Sequence, residues 1–199
     1  MATFLNSAQF AAPQSYSLAC GSDLRPDRTI VGPNGAVIGY VQSGGVLNPS
    51  RYELHEGAIL FRFDASNVAP VGAAKGKWWI ERSQFEKLLG FANHHGLAIG
   101  LAARVLCLVP PEWNDMGTLI RVRVVRPLLA YRGLGNSVVV PKSDGLGPVR
   151  LPHQNELAAR RVFQLFIPGL ADLSSVALRI ERDWHMDPNA ANQGWLYIR

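Results

Sequence analysis

The segment from Glu56 to Ala92 constrains the fold most strongly, because two short apolar strands are followed there by a helix with clear end signals. Residues 58–63 (Ala-Ile-Leu-Phe-Arg-Phe) predict one strand, and residues 77–81 (Lys-Trp-Trp-Ile-Glu) predict the next. Residues 83–86 (Ser-Gln-Phe-Glu) fit a capping box, in which the serine and glutamate side chains bond unpaired backbone donors at a helix start. The segment thus places one arginine and two adjacent tryptophans on neighbouring elements.

The rest of the chain predicts more strands than helices. A second helix is expected at 97–108. Further strands are expected at 36–41, 121–125, 162–167, 176–180 and 195–198, with an exposed loop at 138–152 and a helical turn at 155–161. Because the two best helices are adjacent in sequence, the pattern favours a segregated α+β fold over alternating βαβ units.

Composition bounds the domain organisation. The 199 residues, 48% of them hydrophobic, suit one domain of ordinary size. Residues 1–35 are rich in Ser, Ala, Gly and Pro and are expected to form a partly irregular N-terminal segment, whereas residues 36–199 are expected to form a single α+β domain.

Net charge and cysteine content limit which partners and which cellular compartment suit the chain. The formal charge of +5 suits an anionic ligand, but the basic residues are dispersed, so nucleic acid is permitted rather than indicated. Cys20 and Cys107 read as free thiols, which favours a reducing, cytoplasmic setting. The first residues match neither a secretory signal nor a membrane anchor, and delivery into a target-cell cytosol by a specialised secretion system would leave the same pattern.

Arg62 is the first candidate functional residue. An arginine within an apolar strand needs an anionic partner, because burying its charge unpaired is costly. Its planar fork suits phosphate or carboxylate. Two interpretations follow: a guanidinium that faces a cleft and holds a diphosphate, or an exposed arginine paired with Asp64 or Glu81.

Trp78 and Trp79 form the second candidate. On a strand their side chains must point to opposite faces of the sheet. One ring is then available to stack on a planar base, with Gly76 allowing close approach. Alternatively, both rings are ordinary packing residues.

Other polar clusters are less specific. Glu112 follows two prolines and would put an acid at the rim of a pocket, although a plain helix-to-strand loop has the same composition. Arg121, Arg123 and Arg126 predict one basic strand face. His94 and His95 diverge by about 100° on a helix and cannot share a metal ion, so no metal site is expected.

Three segments, in their order along the chain, resemble the ADP-ribosyltransferase superfamily of bacterial toxins and effectors. They are the strand of Arg62, residues 76–79 (Gly-Lys-Trp-Trp) and residues 162–168 (Val-Phe-Gln-Leu-Phe-Ile-Pro). The resemblance implies a split, antiparallel or mixed sheet with two adjacent helices on one side, and NAD as cofactor. It implies that Arg62 contacts the NAD diphosphate or ribose, that the second strand lines the nicotinamide pocket, and that Gln164 stands at the position of the family's late-strand glutamate.

The sequence departs from the family pattern at two positions. Gln164 can bond a ribose hydroxyl but lacks the negative charge of a glutamate, and Ile80 stands near the position of a family serine or threonine. The missing charge predicts impaired catalysis. Glu81, Glu112 or Glu156 would have to supply an acid instead.

The resemblance therefore implies an NAD-using transferase-like toxin or effector domain that modifies a protein or nucleic-acid acceptor, or hydrolyses NAD. A non-catalytic interaction module, such as an adaptor or inhibitor that docks a cognate protein through the basic strand, is the alternative. General nucleic-acid binding rests on charge alone.

Overall fold

The computed structural model describes residues 3–21, 29–142, 147–151 and 161–192. The helices are α1 Ser7–Ala11, α2 Pro13–Ala19, α3 Pro70–Ala73, α4 Arg82–His95, α5 Ile99–Cys107 and α6 Leu170–Ala177, and a 3₁₀ turn follows at Ala190–Asn192. The strands are β1 Thr29–Val31, β2 Val37–Tyr40, β3 Gln42–Ser43, β4 Val46–Leu54, β5 Ile59–Asp64, β6 Trp78–Glu81, β7 Thr118–Val124, β8 Leu128–Gly135, β9 Val138–Pro141, β10 Pro148–Leu151, β11 Phe163–Phe166 and β12 Leu178–His185. Within these ranges no helix is long and apolar enough to cross a membrane.

A seven-stranded sheet forms the centre of the fold. Its strand order is β12-β7-β5-β6-β11-β8-β4, and every neighbouring pair is antiparallel. Strands β10, β9 and β3 form a smaller sheet, and β1 pairs with β2 in a hairpin. The α+β prediction is therefore confirmed.

The main sheet splits at β6, because this strand changes its partner half-way along. Residues 80–81 of β6 pair with β5, whereas residues 78–79 pair with β11. Beyond Phe61 the two strands β5 and β6 diverge, and the backbone groups of Trp78 no longer meet those of β5. The resulting gap is where the candidate site lies.

Two apolar layers cover the faces of the sheet. One face packs against α3 and α6 through Leu60, Trp79, Ile120 and Leu165. The other face packs against α4 and α5 through Phe61, Phe63, Ile80 and Leu119. The two helices that the sequence predicts to be adjacent therefore lie on one side of the sheet, as expected.

Within its described residues, the N-terminal segment contains two short helices, α1 and α2. Asn6 is fully buried at its start. The Asn6 amide nitrogen donates to the carbonyl oxygens of Leu129 and Pro168, both at 2.9 Å, and its oxygen accepts from the Leu129 N–H at 2.8 Å. One buried side chain thus joins this segment to the ends of β8 and β11.

The strands predicted at 58–63, 77–81, 121–125 and 162–167 are confirmed, as are the helices at 83–95 and 97–108, within a few residues at each end. The prediction of an exposed loop at 138–152 was wrong. Strands β9 and β10 pair there, and Val138, Val140, Val149 and Leu151 are buried beside Leu108. The β-branched run of three valines at 138–140 outweighs the glycine and proline signals in this stretch.

Two further predictions need correction. The strand expected at 176–180 begins only at Leu178, because α6 continues to Ala177. The capping box does not form: α4 begins at Arg82 with Glu81 as N-cap, and no side chain caps it. Strands β4 and β8 were missed. The predicted turn at 155–161 and the strand at 195–198 lie largely or wholly outside the described residues.

Candidate functional site

A cavity lies where β5 and β6 separate. Its volume of about 150 Å³ is enough for one aromatic ring, since an engineered cavity of about 150 Å³ binds benzene. Its lining comes from the split sheet, from α5 and the loop after it, and from the turns before β4 and β9. Its polar and aromatic lining includes Arg62, Trp78, Gln164, Trp113, Asn114 and Asn136.

The guanidinium of Arg62 spans the gap in the sheet. Its Nη1 donates to the carbonyl oxygen of Trp78 at 3.0 Å, which satisfies a backbone group left open by the split. Its Nε and Nη2 donate to one carboxylate oxygen of Asp64 at 3.0 and 2.8 Å. Three of the five N–H donors of a guanidinium are used in these bonds, which leaves two for a ligand. Arg62 thus pairs with Asp64, as one of the two interpretations holds, and it also lines the cavity.

Gly76 makes room for this arginine. A Cβ atom built on Gly76 would collide with the guanidinium carbon of Arg62. The structure therefore gives Gly76 a steric role toward Arg62, while the sequence interpretation assigned it to close approach of a ligand.

Gln164 lies on the β11 side of the same cavity. It is 8% exposed, and its Nε2 donates to the carbonyl oxygen of Cys107 at 3.1 Å. That bond fixes the amide orientation, so Oε1 is the free acceptor. No side chain or backbone group in the described ranges donates to Oε1. Gly135 faces the amide, where a Cβ atom would lie 2.8 Å from Nε2.

The two tryptophans of β6 point to opposite faces, as predicted. Trp79 is 1% exposed in the core beneath α3 and α6, and its indole N–H donates to the Gly76 carbonyl at 2.8 Å. Trp78 is half-buried, with its ring centroid 4.9 Å from that of Phe166. Although both residues line the cavity, Trp78 is the one with ring surface left for stacking on a ligand.

Glu81 does not reach the cavity. By strand alternation it shares the Trp79 side of β6, and it is not among the residues that line the cavity. Its carboxylate accepts a 2.7 Å hydrogen bond from the Tyr52 hydroxyl and lies 3.3 Å from Nε of Arg132. Burial, reinforced by the bond to Glu81, raises the pKa of Tyr52.

Glu112 also lies outside the cavity lining, although its neighbours Trp113 and Asn114 belong to it. Both carboxylate oxygens of Glu112 are buried and accept no hydrogen bond from the residues the structure describes. The loop after the two prolines therefore contributes an aromatic ring and an amide to the cavity rather than an acid. Glu156 lies outside the described residues.

The cavity offers little acid–base chemistry. No Asp, Glu or His is among the described residues that line it, and Arg62 is their charged member. Burial raises the pKa of the Cys107 thiol to about 12, so this lining residue is a neutral thiol near pH 7 rather than a nucleophile. What the described lining offers is binding: cationic donors, an amide acceptor and aromatic surface.

Two lining residues and one residue that bonds the lining from outside it were missed by sequence reasoning. Trp113, which is 44% exposed, and Asn136 reach the cavity from loops whose paths no local pattern reveals. The third is Arg104, fully buried, whose guanidinium donates to the carbonyl oxygens of Val109 at 3.3 Å and Asn114 at 2.8 Å. Its place in the apolar run of α5 was the available signal, since a buried arginine must find acceptors.

No protein-family model and no curated protein matches the chain. A solved structure that is similar to it is described as "Rhs1-CT in complex with cognate immunity protein RhsI1". The two chains share 14% sequence identity, the match covers 76% of this chain and 89% of that one, and the TM-score is 0.38.

Proposed function

We propose that this chain is an NAD-binding domain of the ADP-ribosyltransferase type, with catalysis impaired by Gln164. One observation carries the proposal. Arg62, Trp78 and Gln164, which the family resemblance assigns to diphosphate, nicotinamide and ribose, line one cavity at the split of an antiparallel sheet.

The chemistry of the lining fits the three parts of NAD. The spare N–H donors of Arg62 suit the diphosphate oxygens, to which a guanidinium makes short charge-assisted hydrogen bonds. Asp64 holds that guanidinium in a fixed orientation. The volume of about 150 Å³ suits the nicotinamide ring, with Trp78 as stacking surface. The open Oε1 of Gln164 suits a ribose hydroxyl, which donates to it.

When bound, NAD supplies an activated N-glycosidic bond between nicotinamide and ribose. Gln164 orients the ribose through a neutral acceptor, but it places no negative charge beside the positive charge that develops as that bond breaks. Removing one such aimed electrostatic group costs about 10²- to 10³-fold in rate. The domain is therefore expected to bind NAD well and to turn it over slowly, with a macromolecular acceptor or water as the second substrate.

Saturation-transfer NMR with NAD tests whether the nicotinamide ring lies against Trp78. The nicotinamide protons are expected to receive saturation from the protein, and Trp78→Ala is expected to weaken that transfer selectively. Glu81→Gln, on the other side of the sheet, is the matched control and should leave it unchanged. Equal transfer to NAD in the parent and in Trp78→Ala would contradict the nicotinamide assignment.

A non-catalytic interaction module is the second candidate. The absence of Asp, Glu and His from the described cavity lining favours it. On that reading the chain acts by docking a cognate protein. The proposed cytosolic site of action, and entry through a specialised secretion system, are compatible with either candidate.

A further inference from the structure

A second concave surface lies on the face of the sheet that carries α4 and α5. This apolar groove has a volume of about 370 Å³ and is open to solvent. Its apolar lining comes from α4, the start of α5 and strands β5, β7 and β12: Phe85, Leu89, Ile99, Leu119, Trp184 and Met186. Phe61 completes it and stacks on Phe85 with ring centroids 3.9 Å apart.

The groove is open to a ligand because its apolar side chains are not fully covered. Leu89 is 40% exposed. The side chains of Phe85, Ile99 and Trp184 are each partly buried. Contiguous apolar surface of this kind marks binding sites in soluble proteins.

Four arginines on strands β7 and β12 form a basic strip beside the groove: Arg121, Arg123, Arg179 and Arg182. The antiparallel register sets Arg182 opposite Arg121 and Arg179 opposite Arg123, an arrangement of like charges that is unfavourable by itself. Glu181 stands among them, 3.1 Å from Arg121 and 3.9 Å from Arg179, and it also bonds Arg123. Four arginines against one carboxylate leave a net charge of 4 − 1 = +3 on the strip.

The strip and the groove form one continuous surface. Arg121 belongs to both, since it lines the groove. The guanidinium of Arg182 lies 5.1 Å from the ring centroid of Trp184, a cation–π contact that leads from the strip into the groove. Asp183 does not neutralise this surface, because it pairs with Ile120 and so points to the opposite face.

The chemistry of the surface limits what can occupy it. A nucleic acid would use the arginines but would leave the apolar groove unfilled. A second copy of the chain would bring its own strip and a net charge of +5 against the first. Aromatic residues, Met and Arg together are the composition of protein–protein interfaces.

We propose that this surface docks an acidic protein segment, whose large apolar side chain fills the groove while flanking carboxylates pair with Arg121 and Arg182. The inference is independent of NAD binding, because it rests on none of the residues assigned to diphosphate, nicotinamide or ribose. It also gives the basic strand a defined partner chemistry. Charge complementarity would steer association, and the apolar anchor would set the residence time.

The test uses fluorescence anisotropy with a fluorescein-labelled peptide in which a leucine and a tryptophan are flanked on both sides by glutamates. Binding to the parent protein is expected. A matched peptide with alanine in place of the two apolar residues, and one with lysine in place of the glutamates, should each bind at least about tenfold more weakly. No binding of the first peptide, or equal binding of the alanine peptide, would overturn the proposal.

Protein variants locate the site. The double change Arg121→Glu and Arg182→Glu, and separately Leu89→Glu, should each weaken binding about tenfold or more. Arg51→Glu, a like change of charge on the far edge strand β4, should leave it nearly unchanged. Circular dichroism establishes that each variant is folded. Unchanged affinity in both the double arginine variant and Leu89→Glu would overturn the proposal. A single-stranded DNA oligonucleotide that binds more tightly than the peptide and displaces it would also overturn it.

Discussion

The guanidinium of Arg62 donates a 3.0 Å hydrogen bond to the carbonyl oxygen of Trp78, across the gap where β6 leaves β5. The same arginine therefore closes the split in the sheet and lines the cavity that the split creates. Structure and proposed ligand binding are coupled at this side chain, so each test at the site needs a matched measure of stability.

The contact between Gly76 and Arg62 provides one such test. Gly76→Ala should displace the guanidinium, because the added Cβ would collide with it, and overpacking of this kind costs about 1–3 kcal/mol. Gly90→Ala is the control: its Cβ would meet open space within α4, where alanine is expected to stabilise by about 0.5–1 kcal/mol. Urea unfolding of both variants measures the difference. Equal free energies of unfolding for Gly76→Ala and the parent would show that Arg62 is not held as described.

Replacing Gln164 by glutamate should raise turnover. The carboxylate would restore the missing negative charge, and release of nicotinamide from NAD, followed by chromatography, should increase about 10²-fold over the parent. The new carboxylate would face the Cys107 carbonyl, which now accepts from the Gln164 amide, so its pKa should be raised and activity should grow with increasing pH. Gln164→Ala is the control and should show no gain. A Gln164→Glu protein that binds NAD yet releases no more nicotinamide would contradict the catalytic role of this position.

Cys107 should be inert in the folded protein. Its folded pKa of about 12 lies above the ordinary value of 9.0, because burial disfavours the thiolate. The folded state then holds a proton that the unfolded state loses, so this group's contribution to stability is complete below about pH 9 and falls as the pH rises toward 12. In Cys20→Ala, a thiol-reactive dye should label Cys107 only after unfolding. Rapid labelling under native conditions near pH 8 would contradict its burial.

Local pattern was enough to place Arg62, Trp78 and Gln164 on strands, since each stands in a short apolar run of strand type. Alternation alone also separated Trp78 from Trp79. The same rule puts Glu81 on the Trp79 side of β6, but the side on which Gln164 lies depends on the pairing of β6 with β11, which alternation does not give.

Local sequence pattern could not predict the paths of the loops or the change of pairing partner along β6. Trp113 and Asn136 reach the cavity through contacts between residues far apart along the chain. The hairpin of β9 and β10 was hidden by glycine and proline, which are read as loop signals. The capping box failed because Arg82 and Glu86 pair on the helix surface at 2.8 Å, while α4 begins directly after β6.

Calorimetric titration of NAD into the parent protein, with Arg62→Ala and Arg51→Ala titrated beside it, tests the central claim most directly. Saturable binding to the parent and to Arg51→Ala, abolished in a folded Arg62→Ala protein, is the predicted result. No heat of binding with the parent protein would contradict the assignment of this cavity to NAD.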